Sequence, residues 1–232
     1  MISQWINDIL GVIFPNICEV CGRPLVHGEN LLCLHCRVGM PVTGINGDGF
    51  SEIHKRIAAP GLPVEKAASW FRYVRDTDYA RLLHRAKYGN RPAIARKLAR
   101  IYAETLFHQG FFDGITELIP VPISRFKRLS RGYNQSYEIA RGIADITAIP
   151  ISDCLRVRRH STQTRRNYYE RWLNARSIYS VVTDASFPPD AHLLLIDDVI
   201  TSGATMVACL TELQKRFPEA RLSVLSLALT SS

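Results

Sequence analysis

Leu193-Leu194-Leu195-Ile196-Asp197-Asp198-Val199-Ile200-Thr201-Ser202-Gly203-Ala204-Thr205 does three physical jobs in succession. Its four leading aliphatic residues run without a polar break, the pattern of a strand buried on both faces at the centre of a parallel sheet. Asp197 and Asp198 then stand at the carboxyl end of that strand, where open α/β sheets bind their ligands. The small turn Thr201, Ser202, Gly203, Ala204 and Thr205 opens a helix. Its backbone N–H groups and the positive end of the helix dipole therefore suit a phosphate. Carboxylates beside a phosphate cradle suit a ligand that carries sugar hydroxyls and a phosphate close together.

Working outward, strands and helices alternate. Ala67 to Val74 is strand-like in composition. Asp76 to Tyr88 reads as a helix stopped near Gly89, its Lys87-Tyr88-Gly89 end reading as solvated surface. Pro92 suits the first turn of another helix that runs to about His108. Glu117 to Ile123 is a strand whose prolines mark its end. Its exit brings Ser124, Arg125, Lys127 and Arg128, a stiffened backbone followed by cations, which suits a pyrophosphate and equally a solvated basic loop. After Arg131 to Gln135 comes a helix with Ile139, Ala140, Ile143 and Ile146 on one face. Ile149 to Val157 and Ile178 to Val182 are strand-like, Gly203 to Phe217 is helical, and Leu222 to Leu229 closes the chain as a strand. The expected class is α/β, a mostly parallel sheet flanked by helices.

With 232 residues, 47% of them hydrophobic and 22% charged, the chain has the make-up of a globular protein and enough length to bury a core. No apolar run is long enough to span a bilayer, so no membrane insertion is expected. Met1 to Phe14 lacks the basic start and small-residue cleavage site of a signal peptide. In that segment Trp5, Ile6, Ile9, Leu10 and Ile13 fall at helical spacing after Ser3, which predicts a short amphipathic helix. With no Lys or Arg, it reads as packed rather than membrane-bound. A cytoplasmic protein is expected.

Cys18-x-x-Cys21 and Cys33-x-x-Cys36 form a pair of pairs separated by a short loop, the ligand pattern of a structural tetrahedral Zn²⁺ site. Two disulfides or a redox pair are the alternatives. The first needs an oxidising compartment that nothing here indicates, and the second a βαβ setting that this Gly- and Pro-dotted segment lacks. His27 and His35 read as surface residues, and Cys154 and Cys209 as small buried hydrophobes. The segment from Val42 to Pro63, rich in Gly and poor in large apolar residues, reads as a loop. Residues 1–41 are thus expected to form an N-terminal helix and zinc module, residues 42–66 a linker, and residues 67–232 the main domain.

Charge is unevenly spread. Ser124 to Arg176 holds twelve Arg or Lys and four Asp or Glu, which accounts for the whole formal excess of +8. In its densest part Arg158, Arg159, Arg165, Arg166 and Arg171 interleave with Tyr168, Tyr169 and Trp172. Cations beside aromatics suit single-stranded nucleic acid, which offers phosphates to neutralise and bases to stack. A solvated face, an anion pocket or aromatics turned inward are the competing readings.

The Asp197 to Thr205 stretch resembles the phosphoribosyl pyrophosphate (PRPP) signature of type I phosphoribosyltransferases. That resemblance implies that Asp197 and Asp198 face the ribose hydroxyls while Thr201 to Thr205 hold the 5′-phosphate. Over nearly the whole chain, the order of motifs is similar to that of the ComF/GntX family, bacterial proteins linked to competence and to the use of external DNA. The motifs are the two Cys pairs, Leu83-His-Arg-Ala-Lys-Tyr-Gly89, Pro120-Val-Pro122, Arg131-Gly-Tyr-Asn-Gln135, an Arg-rich stretch with Gln163 and Asn174, and Asp197 to Thr205. The resemblance implies zinc ligands at Cys18, Cys21, Cys33 and Cys36, a pyrophosphate loop around Val121, Pro122 and Arg125, and PRPP contacts at Asp197, Asp198, Thr201, Ser202, Gly203, Ala204 and Thr205. The chain departs from the family at His160, where Thr is frequent, and at Arg166-Asn167, where Leu-Ser is frequent.

Three functions are compatible with this sequence. In the first, the chain binds single-stranded DNA in the cytoplasm and keeps a PRPP site. In the second it is a working phosphoribosyltransferase, in which Mg²⁺ bridges the pyrophosphate and the ribose hydroxyls while an acceptor attacks C1′. In the third it is an adaptor whose zinc module docks on a protein of the DNA-uptake machinery.

Overall fold

A computed structural model of the chain describes residues 16–43, 48–57, 62–88, 91–158 and 178–230. The expected amphipathic helix at Met1 to Phe14 lies outside them, as do Gly89, His160, Gln163, Arg166, Asn167 and Asn174.

Four parallel strands form the main sheet in the order β1 (Lys66–Tyr73), β6 (Arg221–Thr230), β5 (His192–Ile200), β2 (Glu117–Pro120). The aliphatic run lies at its centre, as its composition requires: Leu193 to Ile196 are fully buried, with β6 on one side and β2 on the other. Alternate side chains of the strands feed two cores, because successive residues of a strand face opposite ways. Leu118, Leu194 and Ile196 pack with Ile139, Ala140 and Ile143 of helix α6 (Gln135–Thr147). Ile119, Leu193 and Leu195 pack with Met206, Cys209, Leu210 and Leu213 of helix α7 (Ala204–Arg216). The first core also holds α3 (Asp78–Tyr88) and α4 (Pro92–His108), and the second holds Ile53 and Ile57 of α2 (Asp48–Ile57).

Both edges of the sheet are covered. On β1, the Thr43 amide donates to the Trp70 carbonyl and the Arg72 amide to that of Pro41, each at 2.8 Å, so the segment leaving the N-terminal module pairs antiparallel with the edge strand. On β2, Leu118 exchanges bonds with Pro150 and Ser152 at 2.9 and 3.0 Å. The stretch from Ile149 to Val157, expected as one strand, is therefore split. Its start pairs parallel with β2, and its end, β3 (Leu155–Val157), forms an antiparallel pair with β4 (Tyr179–Val181) outside the main sheet.

The expected linker contains a structured element. Residues 42–66 include α2, an amphipathic helix whose Ile53 and Ile57 are buried against the sheet. The N-terminal module, which includes the short helix α1 (Leu34–Val38), is also not separate in its packing. Its Cys18, Leu31, Leu32, Cys33, Cys36 and Met40 share a core with Trp70, Phe71 and Leu83. Tyr79 Oη donates to the Cys36 carbonyl at 2.8 Å. Glu19 is ion-paired with Arg85 and Arg91 across the same boundary.

Candidate functional site

The β2 and β5 carboxyl ends lie side by side at the point where the chain reverses direction across the sheet. From β2 it runs through α6 to the outer segment at Ile151. From β5 it runs through α7 inward to β6, on the opposite face. Neighbouring connections that leave in opposite directions open a crevice between them, the usual ligand place of an open α/β sheet. Asp197 and Asp198 stand there, half-buried, directly after the fully buried Ile196.

Asp197 Oδ1 accepts from Ser136 Oγ at 2.9 Å and from the Asp198 amide at 2.8 Å. Burial pushes its carboxyl up to about 7, with the neighbouring Asp198 charge adding to the shift; the Asp198 amide, Ser136 and Lys87 oppose it. Asp198 Oδ2 is held by Lys87 Nζ at 2.9 Å. One acid of the pair thus sits ion-paired while its partner carries a proton near neutral pH.

Lys87 and Ser136 are not among the expected site residues. The two sequence motifs that carry them interlock around the acids. Asn134 caps α6, its side chain accepting from the Ser136 amide at 3.1 Å while its Nδ2 donates to the Val121 carbonyl at 3.0 Å. Gln135 Nε2 donates to the Lys87 carbonyl at 3.3 Å, and Tyr133 Oη donates to that of Ala86. Arg131 donates to Gln135 Oε1 at 3.0 Å and lies over the Tyr88 ring, 5.1 Å from its centre. Arg131 to Gln135 is therefore a clasp between the exit of β2 and the end of α3, and it fixes where Lys87 and Ser136 meet the aspartates. The signal in the sequence is the concentration of long polar side chains at a helix end, which a solvated reading of Lys87-Tyr88-Gly89 passes over.

At the turn, Thr201, Ser202 and Ala204 are exposed, Thr205 is half-buried and Gly203 is buried. Gly203 has φ +80°, and a Cβ on it would stand 2.6 Å from the Arg56 carbonyl oxygen, so both backbone conformation and close approach demand glycine. Arg56 of α2 reaches the Thr201 carbonyl at 2.6 Å and that of Ile200 at 3.4 Å. In a trans peptide the C=O and N–H point opposite ways, so the amides of Thr201 and Ser202 turn away from Arg56. The amides of Ser202, Gly203 and Thr205 find no acceptor among the described residues. They line the opening of α7 with donors, at the positive end of its dipole.

On the other side of the crevice, Val121 and Pro122 are buried and Arg125 is exposed at the start of α5 (Arg125–Arg131). The Val121 amide donates to the Ile196 carbonyl at 2.9 Å and Pro122 has no N–H. These two residues therefore shape the loop, and its donors begin at Ile123. A cavity of about 820 Å³ lies elsewhere, lined by Leu62 to Glu65, Arg221 and Leu222 at the amino end of β6.

The four N-terminal thiols converge: Cys18, Cys21, Cys33 and Cys36 place their sulfurs within 4.8 Å of one another. Cys21 and Cys33 Sγ are 3.7 Å apart. Zn–S bonds of about 2.3 Å in a tetrahedron set sulfurs about 3.8 Å apart, so the donor set fits Zn²⁺, and a disulfide at about 2.05 Å is not formed. His27 and His35 are exposed and Cys154 and Cys209 buried, as expected.

Of the expected nucleic-acid residues, Arg159, Arg165, Arg166, Tyr168 and Arg171 lie outside the described residues. Arg158 is described, and it pairs with Glu212 of α7 at 3.3 Å.

Fold and site together define a class: a parallel-sheet α/β protein with an acid pair and a helix-opening turn at the carboxyl end of its central strand, joined to a four-thiol cluster that could hold a metal ion. Over 204 residues it is 29% identical to proteins named DNA utilization protein YhgH of Escherichia coli O6:H1 and Shigella flexneri, an alignment covering 82% of this chain and 80% of each of theirs. It is 27% identical over 200 residues to Competence protein F of Haemophilus influenzae, covering 82% and 86% of the two chains. These relatives support the resemblance of the motifs to the ComF/GntX family. No family model matches the chain. Among solved structures, Leishmania donovani UMP synthase matches with a TM-score of 0.34 and 18% identity, over 79% of this chain and 31% of that one. At that level the likeness establishes nothing about this site.

Proposed function

We propose that the chain binds PRPP with Mg²⁺ between Asp197, Asp198 and the turn from Thr201 to Thr205. We further propose that it binds single-stranded DNA through its basic segment and acts in the cytoplasm in the use of imported DNA. The observation that carries the first part is the acid pair at the crevice between β2 and β5, followed directly by the amide-lined opening of α7. Carboxylate oxygens suit ribose hydroxyls and a hard cation alike, and the N–H groups suit a phosphate. The relatives' names, DNA utilization protein and Competence protein F, support the role in DNA use. No helix among the described residues is long and apolar enough to cross a membrane.

Calorimetric titration of the whole chain with PRPP and Mg²⁺ tests the site. One saturable binding event, weakened at least tenfold by Asp198→Asn, is expected. Binding that ignores this substitution removes the acid pair from the site.

A second reading, turnover, is favoured by one observation: a carboxyl that exchanges its proton near pH 7 suits general acid–base work. An acceptor would then attack C1′ of PRPP and pyrophosphate would leave. Release of pyrophosphate that depends on one added base or amine supports this reading, and release with none refutes it.

A further inference from the structure

We propose that helix α5 is the surface on which single-stranded nucleic acid docks, its phosphates against Arg125, Lys127 and Arg128 and a base stacked on Phe126. The proposal rests on the nucleic-acid part of the function above and locates it on described residues.

Helix α5 contributes nothing to either core, for none of its residues is buried. Phe126 and Leu129 are 86% and 84% exposed. Spaced i, i+3, they share one side of the helix, the side that a helix ordinarily buries. The helix is nonetheless well formed, capped by Ser124, whose Oγ accepts from the Lys127 amide at 3.3 Å, and closed by Gly132 at φ +81°. A built helix that displays its apolar side chains to water is shaped for something other than the core.

Its charge says what. From Ser124 to Tyr133 the chain carries four cations and no acid. Arg131 is used by Gln135 and Tyr88. Arg125, Lys127 and Arg128 form no ion pair among the described residues. Phe126 stands between two of these cations. Cations flanking an exposed ring match a strand that alternates phosphates with flat bases. The surface also continues into the acid site, because Tyr88, on which Arg131 lies, adjoins Lys87, which holds Asp198. A strand laid on α5 passes the mouth of the crevice.

The test is fluorescence anisotropy of a labelled oligothymidine titrated with the full chain. Phe126→Ala and Phe126→Leu should each weaken binding about 5- to 150-fold, the loss of one stacked base, while Phe126→Trp should retain it. The double variant Lys127→Ala/Arg128→Ala should flatten the slope of log K against log salt by about 1.4, two phosphates' worth. Unchanged binding in all these variants overturns the placement on α5 and leaves the DNA reading standing. An unaltered chain that binds no oligothymidine removes the DNA reading and this surface with it. Self-association in sedimentation that Phe126→Ala abolishes, with oligothymidine binding unaltered, would make α5 a contact between copies and overturn the proposal.

Discussion

Asp197→Asn separates what the acid pair does for ligand binding from what it costs the fold. The Asp197 carboxyl titrates near 7 in the folded chain, against an ordinary 3.8. Between those values the native state keeps a proton that the unfolded chain has released, so stability falls as pH rises from about 4 to about 7 and levels off above. About three pH units at 1.36 kcal/mol each set a ceiling of about 4 kcal/mol. An asparagine keeps an oxygen to accept from Ser136 and the Asp198 amide but carries no charge, so it escapes this loss. The substituted chain should match the parent near pH 4 and exceed it by about 2–4 kcal/mol at pH 8, while binding PRPP more weakly. Urea unfolding of both proteins at closely spaced pH values reads the difference directly, since the titrations of other groups largely cancel. Parallel stability curves, or a difference that shrinks as pH rises, would refute the placement of a charge-averse carboxyl at this position.

Three further outcomes follow from the packing. Lys87→Met leaves the half-buried Asp198 without its cation, so stability in urea unfolding should drop by about 1–3 kcal/mol; an unchanged stability would count against the pair. Gly142→Ala, which in an open helix would gain about 1 kcal/mol, should instead cost about 1–3 kcal/mol, because its Cβ would stand 2.3 Å from the Arg96 carbonyl oxygen of α4. A melting temperature that rises would show that α4 and α6 yield at this contact. Cys18→Ser/Cys33→Ser should abolish stoichiometric zinc in metal analysis and also lower the melting of the main domain, since those cysteines share a core with Trp70 and Leu83. Zinc missing from the unaltered protein would refute the metal reading.

Residue type and spacing along the chain are enough to specify the central strand, the acids at its end, the helix-opening turn and the four thiols. Each is a local pattern that carries its own physics: an unbroken aliphatic run, adjacent carboxylates, a small hydroxyl-rich turn, paired cysteines. Helix α2 escapes such a reading because the burial of its Ile53 and Ile57 gains its meaning from the sheet that the helix covers. Lys87, Ser136 and the Arg131 to Gln135 clasp escape it for a different reason. They are far from Asp197 in sequence and reach it only because α3 and α6 pack on the same face of the sheet as Ile196. Which of two adjacent aspartates is ion-paired, and which is left to hold a proton, is settled only when the chain has folded. That choice depends on the distance from each carboxyl to a cation and on the water each has lost, and both are set by packing between segments that the sequence keeps apart.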